Sequence, residues 1–170
     1  MRRHVPMLVA LGFGMGFAAP PRQAASPQSD PLAPVLFLVG RWTGEGTSTY
    51  GPYRFRTEIT RRGRWLLGMG EAQGTQQGAP LIQTASVMGY DEAGRLVFYL
   101  FDGGGAWRFL GTADSSGVTF EWREGEAFRR TRIDRQPDGT FRQRTQAHLP
   151  NQRPPLPVDV TLESVSRPEP

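Results

Sequence analysis

A chain of 170 residues, 38% hydrophobic and 21% charged, has room for one domain with appendages, and its 21 Gly and 15 Pro favour many short strands over long helices. The formal charge of +4 comes from arginine alone among the bases; it falls to +2 without Arg2 and Arg3 and to +1 without Arg22, too small a surplus for a general nucleic-acid binder. Cysteine is absent, which excludes disulfides, thiolate metal sites, a cysteine nucleophile and a lipid-modified cysteine anchor.

Residues 1–25 read as a signal peptide. Met1-Arg2-Arg3-His4 is a basic start, Val5 to Phe17 is apolar, and Ala18-Ala19 or Ala24-Ala25 offer cleavage sites. Paired Arg2-Arg3 also suits twin-arginine export. The apolar run is too short and glycine-broken to span a membrane. The expected product is an exported protein, periplasmic or extracellular, with no stable membrane anchor. Pro20 to Ser29 is rich in Pro, Ala, Ser and Gln, and residues 26–30 form the expected disordered linker. Asp30-Pro31 is a helix-start pair, and Leu32 to Val39 then reads as a helix too short to stand alone. Lying across one end of a barrel would bury it.

The segment Gly40-Arg41-Trp42-Thr43-Gly44-Glu45-Gly46 opens a long series of strands. Trp42, Gly44 and Gly46 share a face, and glycines in register mark close approach by another group, as the first strand of a small barrel requires. Ten strands are predicted: Trp42–Tyr50, Tyr53–Arg61, Arg64–Gly74, Leu81–Tyr90, Leu96–Asp102, Ala106–Ala113, Val118–Arg123, Ala127–Asp134, Phe141–His148 and Val158–Val165. Turn signals such as Gly51-Pro52, Arg62-Gly63 and Pro137-Asp138-Gly139 separate them. Tyr53, Phe55, Thr57 and Ile59 alternate with polar residues, as do Val118, Phe120 and Trp122. Leu96 to Phe101 is apolar on both faces, which calls for cover from the plug helix or a partner. The fold class is all-β: a ten-stranded antiparallel up-and-down barrel over residues 31–166, with a short N-terminal plug helix and a tail at 167–170.

A plug helix, then Gly40-x-Trp42-x-Gly44-x-Gly46, then ten meandering strands resembles the calycin group: lipocalin, fatty-acid-binding and nitrobindin-type barrels. Val87-Met88-Gly89-Tyr90-Asp91 with Leu96-Val97-Phe98-Tyr99 is similar to a family of small exported bacterial barrels. The resemblance implies a cup-shaped cavity for a small hydrophobic ligand, or haem in nitrobindin-like members acting on reactive nitrogen species. Haem would need a histidine in a stretch resembling Pro-Leu-x-Pro-His; here Pro155-Leu156-Pro157-Val158-Asp159 puts Asp159 in that place. In lipocalin-like barrels an arginine after the last strand packs on the early tryptophan, which implies a cation–π contact of Arg167 with Trp42.

Catalytic chemistry finds little support. His148 is the one histidine outside the leader, so a hydrolase triad is hard to build, and a surface role is favoured over haem or metal ligation. Gly103-Gly104-Gly105 reads as a hairpin turn, not a phosphate loop. Glu121, Glu124 and Glu126 read as solvated, with Glu121 and Arg123 on one face. The late arginines are the most suggestive group. Phe128 shares a face with Arg130 and Arg132, so this pair is expected to point inward, whereas Phe141 opposes Arg142 and Arg144. In fatty-acid-binding barrels inward arginines hold a carboxylate.

The sequence favours a binding protein over an enzyme. Its expected partner is a small hydrophobic or amphipathic molecule, with Trp42, Phe98, Leu100, Phe120 and Trp122 as wall and Arg130 and Arg132 as polar anchors; Gly40, Gly44, Gly46 and Arg167 are structural. Loss of Trp122 or Arg132 should weaken binding. No cofactor is expected, haem being the exception through His148, and the protein is expected as monomer or homodimer. A filled barrel acting as an envelope interaction module, through Leu96–Phe101 or the Leu149–Pro157 loop, is the other alternative.

Overall fold

Asp30 is the first residue of the described chain. Its Oδ1 accepts the Leu32 N–H at 3.0 Å and its carbonyl accepts the Ala33 N–H at 3.0 Å, which turns the backbone into a 3-10 helix, Ala33–Leu38. The computed structural model describes residues 30–103, 105–150 and 158–169. The expected signal peptide, most of the linker, and Pro155-Leu156-Pro157 lie outside the described residues. Asp30 Oδ2 also meets Arg61 at 2.5 Å, tying the turn to the wall. Leu32, Val35 and Leu38 are buried, so this single apolar stripe seals the helix onto one end of the barrel.

Ten strands follow: β1 (Gly40–Ser48), β2 (Gly51–Arg62), β3 (Trp65–Gly74), β4 (Leu81–Tyr90), β5 (Leu96–Asp102), β6 (Gly105–Ala113), β7 (Gly117–Glu124), β8 (Ala127–Arg135), β9 (Phe141–His148) and β10 (Asp159–Pro168). Every neighbour in sequence is a neighbour in the sheet, all pairs are antiparallel, and β1 pairs with β10 to close the barrel. Closure removes both sheet edges, the exposed feature that a meander would otherwise present. β10 continues past residue 166, pairing Arg167 with Thr43 and Pro168 with Trp42, so part of the expected tail belongs to the wall.

The closing seam depends on the early glycines. A Cβ on Gly44 would run into the Val165 carbonyl oxygen and the Phe55 ring; one on Gly46 would meet the Glu163 carbonyl and the Tyr53 ring. Their neighbours occupy the space a side chain would need, which lets the strand coil tightly. Gly40 begins β1 at φ +143, a conformation that L side chains rarely adopt.

Trp42 anchors the plugged end. Its indole Nε1–H donates to the Leu38 carbonyl at 2.9 Å, and its ring meets Phe141 edge-on at 4.5 Å. The predicted Trp42–Arg167 contact does not form, because Arg167 is opposite Thr43 and therefore on the outer face. A residue adjacent to an inward one always points out. Cover for the outer face of β5 also differs from expectation. The plug helix packs inside, while the Trp65 ring lies over Gly89, the register partner of the fully buried Val97.

Ser166 stands out among the described residues: its hydroxyl is fully buried with no hydrogen-bond partner. An unmade hydrogen bond of this kind costs about 1–3 kcal/mol. Ser166→Ala is therefore expected to leave stability unchanged or raise it by up to about 1 kcal/mol, as read by urea unfolding. A loss of more than that would mean the hydroxyl has a partner.

Candidate ligand-binding site

The inner face encloses a cavity of about 360 Å³, at the low end of the usual range for small-molecule pockets. Its floor toward the plug is apolar, formed by Leu38, Leu66, Met88, Phe109, Phe120 and Phe141. Phe98 stacks between Phe109 and Phe120, with centroids 5.6 and 4.9 Å away. Toward the mouth the lining turns polar, with Tyr53, Thr131, Gln143, Ser164, Asp102 and Arg129. Thr131 and Thr145 share a hydrogen bond at 2.9 Å that satisfies two wall hydroxyls.

The wall is lower beside β4. The β4–β5 ladder ends at Ala85 opposite Phe101, so Leu81 to Thr84 extend beyond it. Arg56 and Glu71 border this stretch with their side chains outside, because Phe55, Thr57 and Ala72 face in.

An ion pair crosses the mouth. Arg129 Nη1 lies 3.7 Å from Asp102 Oδ2, with about a quarter of the Arg129 side chain exposed. Asp102 Oδ1 also accepts the Trp107 indole N–H at 3.2 Å, and the Trp107 and Trp122 rings meet edge-on at 5.0 Å. The Arg129 guanidinium stands over the Phe109 ring at 5.7 Å. Burial pulls the Arg129 pKa down, with Asp102 opposing; the guanidinium stays charged. Burial raises the Tyr53 phenol, and its hydrogen bond with Ser164 offsets part of that.

Phe98, Leu100 and Phe120 line the cavity as the sequence suggests. Trp42 and Trp122, also expected as wall, do not line it: Trp42 packs on Leu38 and Phe141 at the plugged end, and Trp122 stands edge-on against Trp107. The inward orientation expected of Arg130 and Arg132 is overturned. The β7–β8 register sets Phe120 opposite Thr131 and Trp122 opposite Arg129, so Arg129 faces in while Arg130 and Arg132 face out. Phe128 misleads because it too is external, stacked on His148 at 6.2 Å and capped by Arg123. Sequence reasoning missed Arg129, Asp102 and Tyr53. The signal for Arg129 was the two-residue turn at Gly125-Glu126, with Gly125 at φ +58, which fixes the parity of β8 against the clearly patterned β7.

Outside, the arginines are spoken for. Arg130 pairs with Glu121 at 3.1 Å, and Arg132 joins Asp114 at 2.7 Å and Asp134 at 2.6 Å. Bonds from Arg132 and Ser116 hold the Asp114 carboxyl far below its usual range. At Asp134 burial works against ionisation, yet the bonds from Arg132 and Arg144 outweigh it and lower the pKa. Carboxyls depressed on folding contribute stability above the unfolded value of about 3.9, and that contribution is lost as pH falls through the folded values. The melting temperature is thus expected to hold from about pH 7 to 5 and fall below about pH 4. Asp114→Asn should make that acid slope shallower in circular-dichroism melts; an unchanged slope would remove this cluster from the account.

His148 belongs to the outer rim, where its Nδ1 meets Asp159 Oδ1 at 2.8 Å. It shares the outer face with Phe128, and among the described residues no histidine lines the cavity. The residues present do not fit the histidine-ligated haem of the alternative reading. Among the described residues no cluster of three His, Asp or Glu is placed to hold a metal.

Comparison with solved structures finds the same architecture elsewhere. Rv2717c from M. tuberculosis matches with a TM-score of 0.58 at 16% identity, covering 85% of this chain and 99% of its own. The S-type phycobiliprotein lyase CPES from Guillardia theta matches at 0.52 and 12% identity, covering 82% of this chain and 96% of its own. No protein-family model matches the chain, and no curated sequence matches it. At such identities the likeness speaks for the fold. Closed order, plug and cavity define the class: a ten-stranded antiparallel barrel of calycin-like architecture.

Proposed function

We propose that the protein is a non-enzymatic carrier that binds a small hydrophobic or amphipathic molecule inside the barrel, and that it works after export to the periplasm or the extracellular space. The observation that carries this reading is the cavity of about 360 Å³ with an apolar floor and one ion pair at its mouth. Apolar surface kept for a guest forgoes packing that a purely structural barrel would make. The division into floor and rim suits a molecule with an apolar body and a polar end. Export rests on the pattern of residues 1–25.

Native mass spectrometry of the protein purified from its own host, set against the denatured mass, tests the reading directly. An additional small-molecule mass is expected; bare protein that also ignores added hydrophobic probes would sink it. Leu100→Trp should fill the cavity and reduce binding by about tenfold or more, since overpacking a site of this size costs about 1–3 kcal/mol. Arg132→Ala, on the outer face, should leave affinity within about twofold, because it removes no cavity contact. Equal losses from the two variants in a fluorescence titration would place the ligand elsewhere.

A further inference from the structure

The cavity mouth carries charges that are already matched. Arg129 and Asp102 oppose each other across it at 3.7 Å, and Trp107 donates to the same carboxylate at 3.2 Å. Arg56 and Glu71 are register partners on the outer face, where Arg56 is held by Glu169 at 2.7 Å, so they add no charge inside the mouth. Among the described residues, no unpaired cation faces this mouth for an anionic ligand to neutralise.

The consequence for a guest follows from the cost of burying charge. A carboxylate on Arg129 would stand beside Asp102, adding an uncompensated negative charge to a half-buried place. An ammonium on Asp102 would stand beside Arg129, with the same defect in the opposite sign. A head group that is neutral overall but offers an acceptor next to a donor meets neither penalty. The guanidinium has five N–H donors, of which Asp102 takes only part, and a carboxylate offers about four acceptor sites, so both can serve a guest while keeping each other.

We propose that the mouth selects an uncharged amide head, whose carbonyl accepts from Arg129 and whose N–H donates to Asp102, with the alkyl or aromatic body on the Phe98, Phe109 and Phe120 floor. This assignment rests on the cavity being the ligand site, and it departs from the carboxylate expected when inward arginines are considered alone. The difference is Asp102, which converts an anion-binding cation into a donor–acceptor pair.

Calorimetric titration of the purified protein with octanamide, octanoate and octylammonium at neutral pH tests it, with displacement of an anilinonaphthalene dye reporting on the cavity. Octanamide is expected to bind about tenfold or more tightly than either ion. Asp102→Asn should reverse the order in favour of octanoate, and thermal melts will show whether that variant is folded. The wild-type ranking decides the matter even where it is not. Octanoate or octylammonium equal to or tighter than octanamide overturns the assignment. Dye binding that Leu100→Trp abolishes, with no octyl compound bound, overturns the amide head alone and leaves the carrier reading intact. If neither dye nor octyl compounds bind, the carrier reading fails and the amide assignment fails with it.

Discussion

Gly44→Ala is expected to cost about 3 kcal/mol and to lower the melting temperature by roughly 6–12 °C, a large response to one methyl group. The added carbon would meet the Val165 carbonyl and the Phe55 ring. The carbonyl belongs to β10, where Glu45 opposes Val165 in the seam that closes the barrel. A ring can tilt, but a strand carbonyl moves only with its ladder, so the strain reaches several hydrogen bonds. Gly103→Ala is the control, because nothing lies within 4 Å of its Cβ position. That variant should stay within about 0.5 kcal/mol of wild type. Similar melts for the two variants would show that the seam is not tightly packed at Gly44.

Arg129→Met is the second large effect, expected to cost about 3 kcal/mol in denaturant unfolding. The loss arises less from the pair at 3.7 Å than from what it leaves behind, an Asp102 carboxylate in the cavity mouth without its counter-charge. Removing one partner of a buried pair is costly, whereas replacing both by apolar groups is often close to neutral. Adding Asp102→Leu to Arg129→Met should therefore recover at least half of the loss, even though the Trp107 N–H then loses its acceptor. A double variant as unstable as the sum of the single ones would show that the two side chains act independently.

Much of the architecture is legible in local pattern. Tyr53, Phe55, Thr57 and Ile59 announce the inner face of β2 because a half-buried strand has a side-chain period of two, and Val118, Phe120 and Trp122 do the same for β7. Turns such as Gly51-Pro52 divide ten runs of strand length, and short connections leave little choice but an antiparallel meander. The site is less legible. β8 contains Phe128, Arg129, Arg130, Thr131 and Arg132, a stretch with no clean alternation. Its aromatic suggests the inner face, yet Phe128 packs outside against His148. One residue of parity exchanges the two faces of a strand, which is why the pattern points to Arg130 and Arg132 while Arg129 faces the cavity.

The sequence by itself determined the strand count, the all-β class, the plug and the glycines of β1, because each depends on local chemistry: alternation, turn residues, and the absence of a Cβ. Only the tertiary structure decided which arginine faces the cavity, that Asp102 from β5 meets Arg129 from β8, and that Trp42 rests on Phe141 and Leu38 while Arg167 lies outside. Apart from Trp42 on Leu38, four residues away, those contacts join residues far apart in the chain. They are set by ladder register and barrel closure, which no window of neighbouring residues encodes.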